Sequence, residues 1–170
     1  FEDSCKNCNS INSLIFPGYG VEKVFEEVSN LFPEAKISLL SSDKVKNKIL
    51  SREIKDIIEN KVQIVIGTQI ISKGHNFPFL KTVGILNIDS ILNDFDFRSS
   101  EKAFQQITQV AGRAGRKDLK GEVFIQTYQP NHPVLKLSLC SDYQSFVNYE
   151  LNERRKNFLP PFSSFISIII

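Results

Sequence analysis

The sequence has no methionine and no tryptophan, and it has only three cysteines among 170 residues. Because residue 1 is phenylalanine, we expect the chain to be a piece of a longer protein. No apolar run approaches the roughly 20 residues that a membrane-spanning helix needs. The start of the chain also lacks the basic and apolar segments of a secretory signal. These absences predict a soluble, cytoplasmic protein that has no membrane partner.

The cysteines do not suggest a disulfide framework, because their number is odd and two of them are close together in sequence. Cys5 and Cys8 form one C-x-x-C pair, whereas a zinc site needs four ligands, commonly from two such pairs. From these residues alone, a thiol pair without metal is about as good an interpretation as half of a zinc site. Cys140 lies in a predicted helical stretch, where we expect a small buried residue.

The charges nearly balance, with 21 Lys and Arg against 19 Asp and Glu. This balance argues against a uniformly basic protein that coats DNA, but it allows a local basic groove. The hydrophobic fraction of 41% is enough to build one well-buried core. Composition therefore predicts a globular protein and leaves nucleic-acid binding open.

Short apolar runs alternate with amphipathic stretches over most of the chain. The predicted strands cover residues 14–16, 37–40, 62–66, 83–88 and 123–126, and the predicted helices cover 21–32, a segment after Lys48, and 101–110. This order implies right-handed crossovers and a mostly parallel sheet between helical layers. The predicted fold class is α/β.

Beyond Thr127 the pattern changes to a mostly helical stretch from Val134 to Asn157, with prolines on both sides. The last six residues, 165–170, are almost all apolar and look like a strand without its partners. Since an unpaired apolar strand promotes aggregation, we expect it to belong to a further domain.

The strongest chemical signal is the run Gln-Val-Ala-Gly-Arg-Ala-Gly-Arg after the third predicted helix. If that helix continues, Gln109, Arg113 and Arg116 project towards one side. Gly112 and Gly115 carry no side chains, so a phosphate group or another backbone can approach the arginines closely. Two guanidinium groups beside a glutamine suit a triphosphate during γ-phosphoryl transfer. Taken alone, such a short motif is more often a solvated basic turn.

A second signal, Gly-Thr-Gln-Ile-Ile-Ser-Lys-Gly-His-Asn-Phe-Pro, follows the third predicted strand. Ligands of open α/β sheets bind at the carboxyl ends of strands, where this loop would lie. The Thr68 hydroxyl and nearby backbone N–H groups can hold a nucleic-acid phosphate without reading the base sequence. By itself the loop could be an ordinary connection. Together with the arginine run, it indicates a functional site.

These two segments resemble motifs V and VI of superfamily-two helicases, which lie in the second of two RecA-like lobes. The closer resemblance is to the primosomal replication-restart helicases, and it covers nearly the whole chain. The stretches that carry it are Gly18–Glu22, Gly67–Pro78, Asp94–Gln105, Gln109–Arg116, Gly121–Tyr128 and Glu153–Ser163.

The resemblance implies a RecA-like sheet, mostly parallel, with helices on both of its faces. It also implies a domain organisation: the end of a zinc-binding insertion at 1–10, the lobe with motifs IV to VI at 11–130, a helical extension at 131–160, and the start of another domain at 161–170. Cys5 and Cys8 would then be the last pair of ligands in the zinc-binding insertion.

The activity that the resemblance implies is 3′-to-5′ DNA unwinding at stalled replication forks, driven by ATP with Mg²⁺. The implied partners are single-stranded and forked DNA and the proteins of the primosome and of replication restart. We expect a monomer in the bacterial cytoplasm, associated with the nucleoid.

The resemblance also implies roles for individual residues. Arg113 and Arg116 would reach the γ-phosphate of an ATP held by the other lobe, with Gln109 beside them and Gly112 and Gly115 lining the site. The residues implied to contact DNA are Thr68, Gln69, Lys73 and Arg98.

Gly74 and Asn76 would couple the DNA contact to the nucleotide. Many superfamily-two members carry aspartate where this chain has Asn76. Asparagine keeps the hydrogen-bonding shape of aspartate but lacks its charge, so a role that depends on charge does not carry over directly.

No phosphate-binding loop of the form G-x-x-x-x-G-K-[ST] occurs in the sequence, and no acidic strand end suggests a magnesium site. The arginines would therefore form one half of a composite site, and this chain alone should be inactive. Two alternatives are the motor lobe of another superfamily-two DNA translocase, of the branch-migration or restriction type, and a non-enzymatic module that binds DNA or a protein.

Overall fold

The computed structural model of the chain describes residue 8 and residues 20–40, 48–68, 77–115 and 121–166. The predicted strand at 14–16 and the end of the predicted terminal strand, residues 167–170, lie outside these ranges. In chain order, the elements are α1 Val21–Leu31, β1 Ile37–Leu40, α2 Lys48–Ile58, β2 Ile64–Gly67, β3 Thr82–Ile85, α3 Asp89–Leu92, α4 Ser99–Ala111, β4 Glu122–Ile125, α5 Pro133–Leu139 and α6 Tyr143–Lys156. The predicted alternation of strands and helices is thus confirmed. None of the described helices is long and apolar enough to cross a membrane.

The four strands form two parallel pairs. Strand β1 pairs with β2, from Ile37 opposite Ile64 to Leu40 opposite Gly67. Strand β3 pairs with β4, from Thr82 opposite Glu122 to Ile85 opposite Ile125. The predicted parallel pairing is confirmed, and it follows from the helix that lies between the strands of each pair. Among the described residues no ladder joins the two pairs, so the predicted single sheet is present there only as two halves.

The main core lies between the β3–β4 pair and helices α4, α5 and α6. Its buried residues are Ile85, Ile88, Ala103, Phe104, Ile107, Val134, Leu135 and Phe146. The rings of Phe104 and Phe146 stack with their centroids 4.0 Å apart and their planes at 14°. Each such side chain contributes roughly 1.5–3 kcal/mol through burial alone. The helical extension therefore shares one core with helix α4.

A smaller core joins α2 to the β1–β2 pair through Leu40, Ile57, Val62 and Phe77. Helix α1 begins and ends where its apolar spacing predicts, but none of its residues is buried. Leu31 remains 72% exposed, because the short strands that α1 contacts cover only part of its apolar face. Ile58 is 39% exposed because it is the last residue of α2.

The amino end of α4 is not capped by a side chain: the N-cap is Arg98, and Ser99 and Ser100 are already helical. The preceding turn is instead held by Asp96, whose Oδ1 accepts the Arg98 N–H at 2.9 Å. Cys140, predicted to be buried, is exposed because it ends α5, where the chain turns towards solvent.

The helical stretch after Val134 consists of two helices, and a short turn separates them. Ser141 has a positive φ of 51° in this turn. Asp142 then caps α6, since its Oδ1 accepts the Ser145 N–H at 3.0 Å. Hydrogen bonds from the side chain and from the backbone N–H of Ser145 lower the pKa of Asp142. A capped restart of this kind fixes the direction in which α6 returns to pack on Phe104.

His132 caps helix α5, and this cap predicts that the stability of the chain depends on pH. Its Nδ1 accepts the Val134 N–H at 3.3 Å, which a protonated ring cannot do. Burial lowers the pKa of His132 by more than the nearby Asp89 carboxylate raises it. The folded state thus resists protonation, while the unfolded state takes up a proton as the pH falls below about 6.5.

We therefore expect the contribution of His132 to be complete above about pH 6.5 and to diminish as the pH falls below that value. The measurement is the urea midpoint of the chain at about pH 7.5 and about pH 5.5. His132→Asn keeps a capping side chain that does not titrate, so its midpoint should fall less on acidification. An equal fall in both proteins would show that other groups cause the pH dependence.

Candidate functional site

The arginine turn, residues 112–115, is a tight turn at the end of α4. Helix α4 ends at Ala111, and Gly112 is its C-cap. The Arg113 N–H then donates to the Val110 carbonyl at 3.0 Å, and the Ala114 N–H donates to the Ala111 carbonyl at 3.2 Å. Hydrogen bonds that span three residues tighten and terminate a helix. The helix therefore ends before Arg113, so the condition under which Gln109 and Arg113 would share one helical face is not met.

Backbone contacts fix the arginine turn in place. Gly115 has a φ of 71°, which favours glycine, and its N–H donates to the Leu80 carbonyl at 3.1 Å. Gly121 lies so close to the turn that a Cβ there would overlap the backbone of Ala114 and Gly115. Leu80 and Gly121 precede β3 and β4, so the turn lies at the amino ends of these strands. The sequence predicted that a phosphate group or another backbone could approach the glycines closely. At Gly115, the group that approaches is the backbone of this chain.

The predicted catalytic residues that the structure describes lie on or beside this turn. Gln109 is exposed on the last part of α4, and Arg113 is half-buried in the turn itself. Gly112 is exposed, whereas Gly115 is half-buried. The other predicted site residues outside the described ranges are Cys5, Gln69, Lys73, Gly74, Asn76 and Arg116, and their roles stay predictions.

Thr68 lies directly after β2, at the carboxyl end of that strand, and it is exposed. Its position agrees with the predicted end of the third strand. Since β2 is parallel to β1, the carboxyl ends of both strands lie at this edge. An exposed hydroxyl group there is accessible to a ligand.

Arg98 lies in a network of charges just before α4. Its Nε is 3.5 Å from Asp96 Oδ1, and its guanidinium lies 5.3 Å from the centre of the Phe97 ring. A hydrogen bond from Lys102 is the largest of the causes that lower the pKa of Asp96 to about 2. Arg98 remains 57% exposed, so its outer N–H groups can still meet a phosphate.

A buried cation that sequence analysis did not single out lies on α6, and its surroundings are here called the Arg154 cluster. Arg154 Nε is 2.9 Å from Glu150 Oε1, and its Nη2 is 2.9 Å from Glu101 Oε1. Its Nη1 donates to the Pro160 carbonyl at 3.2 Å. The Phe97 ring lies against the same guanidinium, 5.2 Å from its Cζ. The four-residue spacing between Glu150 and Arg154 could have predicted their ion pair. It could not have predicted Glu101, the partner of Arg154 on α4.

A second polar cluster lies at the carboxyl ends of β3 and β4. Asp89 is buried, and its carboxylate accepts the Thr127 hydroxyl at 2.9 Å and the Tyr128 N–H at 3.0 Å. The Gln126 side chain accepts the Asn87 N–H at 3.3 Å. Because both oxygens of Asp89 already accept hydrogen bonds within the chain, we assign it to the support of this edge and not to chemistry.

The predicted zinc ligands receive no support from the described residues. Cys8 is exposed, and Cys5 lies outside the described ranges. Within the described part of the chain, no group of three or more His, Cys, Asp or Glu side chains could hold a metal ion. The described residues therefore do not form a zinc site by themselves.

Comparison with known proteins identifies the family. The profile of the helicase conserved C-terminal domain matches residues 8–118. The replication restart protein PriA of Rickettsia conorii is 40% identical over 168 residues, which cover 98% of this chain and 26% of that protein. Its namesake in Haemophilus influenzae is 41% identical over 94% of this chain and 22% of that protein.

The similarity extends to a third bacterium. Replication restart protein PriA of Bacillus subtilis is 39% identical over 160 residues, which cover 94% of this chain and 20% of that protein. The chain thus spans about a quarter of the length of the first of these relatives. The resemblance inferred from the sequence motifs is confirmed. The chain belongs to the helicase conserved C-terminal domain family, and its parallel strands and intervening helices are those of a RecA-like α/β lobe.

Proposed function

We propose that the chain is the second motor lobe of an ATP-dependent DNA helicase that acts in replication restart. The observation that carries the proposal is the arginine turn, in which the backbone holds Arg113 in a defined place at the end of α4. A cation held in this way needs little reorganisation when charge develops on a phosphoryl group. The similarity to replication restart proteins from several bacteria supports the same function.

In the proposed mechanism, ATP and Mg²⁺ are bound mainly by another lobe, and this chain completes the site. Arg113 and Arg116 approach the γ-phosphate and stabilise the charge that spreads over its oxygens during transfer. Gln109 lies beside them, and Gly112 and Gly115 line the site. ATP binding draws the two lobes together, and hydrolysis releases them.

The DNA grip is proposed to lie on the carboxyl edge of β2 and on the segment before α4. The Thr68 hydroxyl contacts backbone phosphates, with Gln69 and Lys73 further along the loop and Arg98 before α4. Gly74 and Asn76, in the same loop, couple this contact to the nucleotide. Contacts of this kind do not read the base sequence, so binding would be salt-dependent and tolerant of sequence.

The finer parts of the proposal concern the intact protein. We infer that the intact protein moves 3′-to-5′ on single-stranded and forked DNA at stalled forks. It would act there together with primosome and replication-restart proteins. We also infer that it is a monomer in the bacterial cytoplasm and nucleoid. Cys5 and Cys8 would supply two of the four ligands of a zinc site whose other ligands lie elsewhere in the protein.

The experiment that tests this function is strand separation by the intact protein. With ATP and Mg²⁺, we expect it to unwind a duplex that has a 3′ single-stranded overhang and to leave one with a 5′ overhang intact, because movement has one direction. The measurement is the release of a fluorescently labelled strand. The chain of residues 1–170 alone should neither unwind DNA nor hydrolyse ATP.

The same assay separates the alternatives. A translocase of the branch-migration or restriction type would consume ATP on duplex DNA without separating the strands of either substrate. A non-enzymatic module would bind DNA equally with and without ATP. Unwinding from the 5′ overhang, or ATP hydrolysis by residues 1–170 alone, would contradict the proposal.

A further inference from the structure

Helix α4 connects two chemically different ends. Its first turn carries Glu101, and its last residue leads into the arginine turn with Arg113. A helix of 13 residues is about 20 Å long and behaves as a rigid rod. A contact that fixes its amino end therefore also sets the orientation of the turn at its carboxyl end.

The Arg154 cluster makes such a contact. The Arg154 side chain is only 10% exposed and Glu150 only 9%. The guanidinium of Arg154 contacts three different segments: Nε donates to Glu150 on α6, Nη1 donates to the Pro160 carbonyl beyond α6, and Nη2 forms an ion pair, without a hydrogen bond, with Glu101 on α4. A planar, forked cation suits such an arrangement, whereas a lysine ammonium presents a single point charge.

The same cluster reaches the proposed DNA grip. The Phe97 ring lies 5.2 Å from the Arg154 guanidinium and 5.3 Å from that of Arg98. The edge of Phe97 also packs on Phe165, with the ring centroids 5.7 Å apart and the planes at 88°. If a DNA phosphate displaced Arg98, the Phe97 ring would therefore move with it. That movement would in turn displace the guanidinium of Arg154.

We propose that Arg154 is a positioning residue that couples DNA contact at Arg98 to the orientation of Arg113, through Phe97 at one side and Glu101 on α4 at the other. It does not touch ATP or DNA itself. This proposal rests on the motor function proposed above. When the Glu101–Arg154 link is weakened, α4 loses one of the contacts that hold its amino end, so ATP hydrolysis continues but produces less strand separation.

The test is Glu101→Gln in the intact protein. Glutamine keeps the size of glutamate and removes only its charge, while Arg154 retains Glu150 and Pro160, so the fold should persist. We expect ATP turnover without DNA to stay within about 2-fold of wild type. The ATP consumed per base pair separated should rise about 3- to 30-fold, the range seen for changes in coupling between sites.

A matched control is Glu153→Gln, the same chemical change on α6. Glu153 pairs with Lys156 at 2.7 Å on the surface and lies outside the Arg154 cluster. The Glu153→Gln change should leave both the ATP turnover and the ATP consumed per base pair separated unchanged. Arg154→Lys is a second variant that keeps the charge but not the three-way fork, and it should also raise the ATP consumed per base pair.

The ratio of ATP consumed to base pairs separated decides the outcome. If Glu101→Gln and Arg154→Lys lower both rates together and leave the ratio at the wild-type value, the cluster is only structural and the inference is wrong. If the wild-type protein itself shows no DNA-stimulated ATP hydrolysis, the proposed motor function has failed, independently of the cluster.

Discussion

Replacing Arg113 by alanine is expected to lower the DNA-stimulated ATP turnover of the intact protein by about 10³-fold, the lower end of what arginine fingers contribute to phosphoryl transfer. The arginine turn holds the backbone of Arg113 between α4 and the amino ends of β3 and β4. The turn therefore fixes the point at which the Arg113 side chain leaves the backbone. The measurement is steady-state ATP hydrolysis with saturating single-stranded DNA, together with the binding of a fluorescent ATP analogue.

Binding of the nucleotide should change much less than turnover, because the stabilisation acts on the transition state. Arg113→Lys keeps the charge but loses the planar fork, so it should recover only a small part of the activity. Arg155→Ala is a matched control, because Arg155 is an exposed α6 residue whose guanidinium lies 4.9 Å from the Phe162 ring. Arg116→Ala is expected to behave like Arg113→Ala.

Unchanged turnover in both the Arg113 and the Arg116 variants would mean that the glycine–arginine run is structural in this protein. The motor assignment would then depend on the similarity to replication restart proteins alone. Loss of turnover in Arg155→Ala as well would point to general destabilisation instead of a catalytic role.

Replacing Phe104 by alanine is expected to lower the free energy of unfolding by about 3–5 kcal/mol, the usual cost of removing a buried phenyl ring. Phe104 is 4% exposed and stacks on Phe146 in the core that α4 shares with the helical extension. The change would leave a cavity where α4 meets α6, and packing around a rigid helix relaxes only partly. The measurement is urea unfolding of residues 1–170.

The matched control is Phe124→Ala, the same change on β4, where the side chain is 61% exposed. Little apolar surface is buried there, so the loss should stay below about 1 kcal/mol. Equal losses in the two variants would contradict the assignment of Phe104 to the main core. A loss confined to Phe104→Ala would support it.

Several elements could be predicted from local patterns alone. The apolar spacing located α1, α2 and α4 to within a few residues, and the β-branched runs located β1 to β4. In each case the signal lies within a few neighbouring residues, which is the distance over which helix and strand preferences act.

Predictions about burial at the ends of elements were less successful. Ile58 and Cys140 belong to apolar or helical patterns, yet both are exposed. Periodicity shows which face of a helix is apolar, but not how far the neighbouring elements extend over it. The path of the chain after α4 could not be predicted for a similar reason, because Gly115 bonds to Leu80, which is far away in sequence.

The sequence by itself determined the α/β class, the parallel strand order and the glycine–arginine run that leads to the helicase family. Only the tertiary structure decided how the arginine turn is held and which residues support it. The ion pair of Arg154 with Glu101 joins residues that are distant in the chain, and the approach of Gly121 to Ala114 depends on how β4 enters its ladder. Such contacts arise from packing, whose geometry no local pattern of residues records.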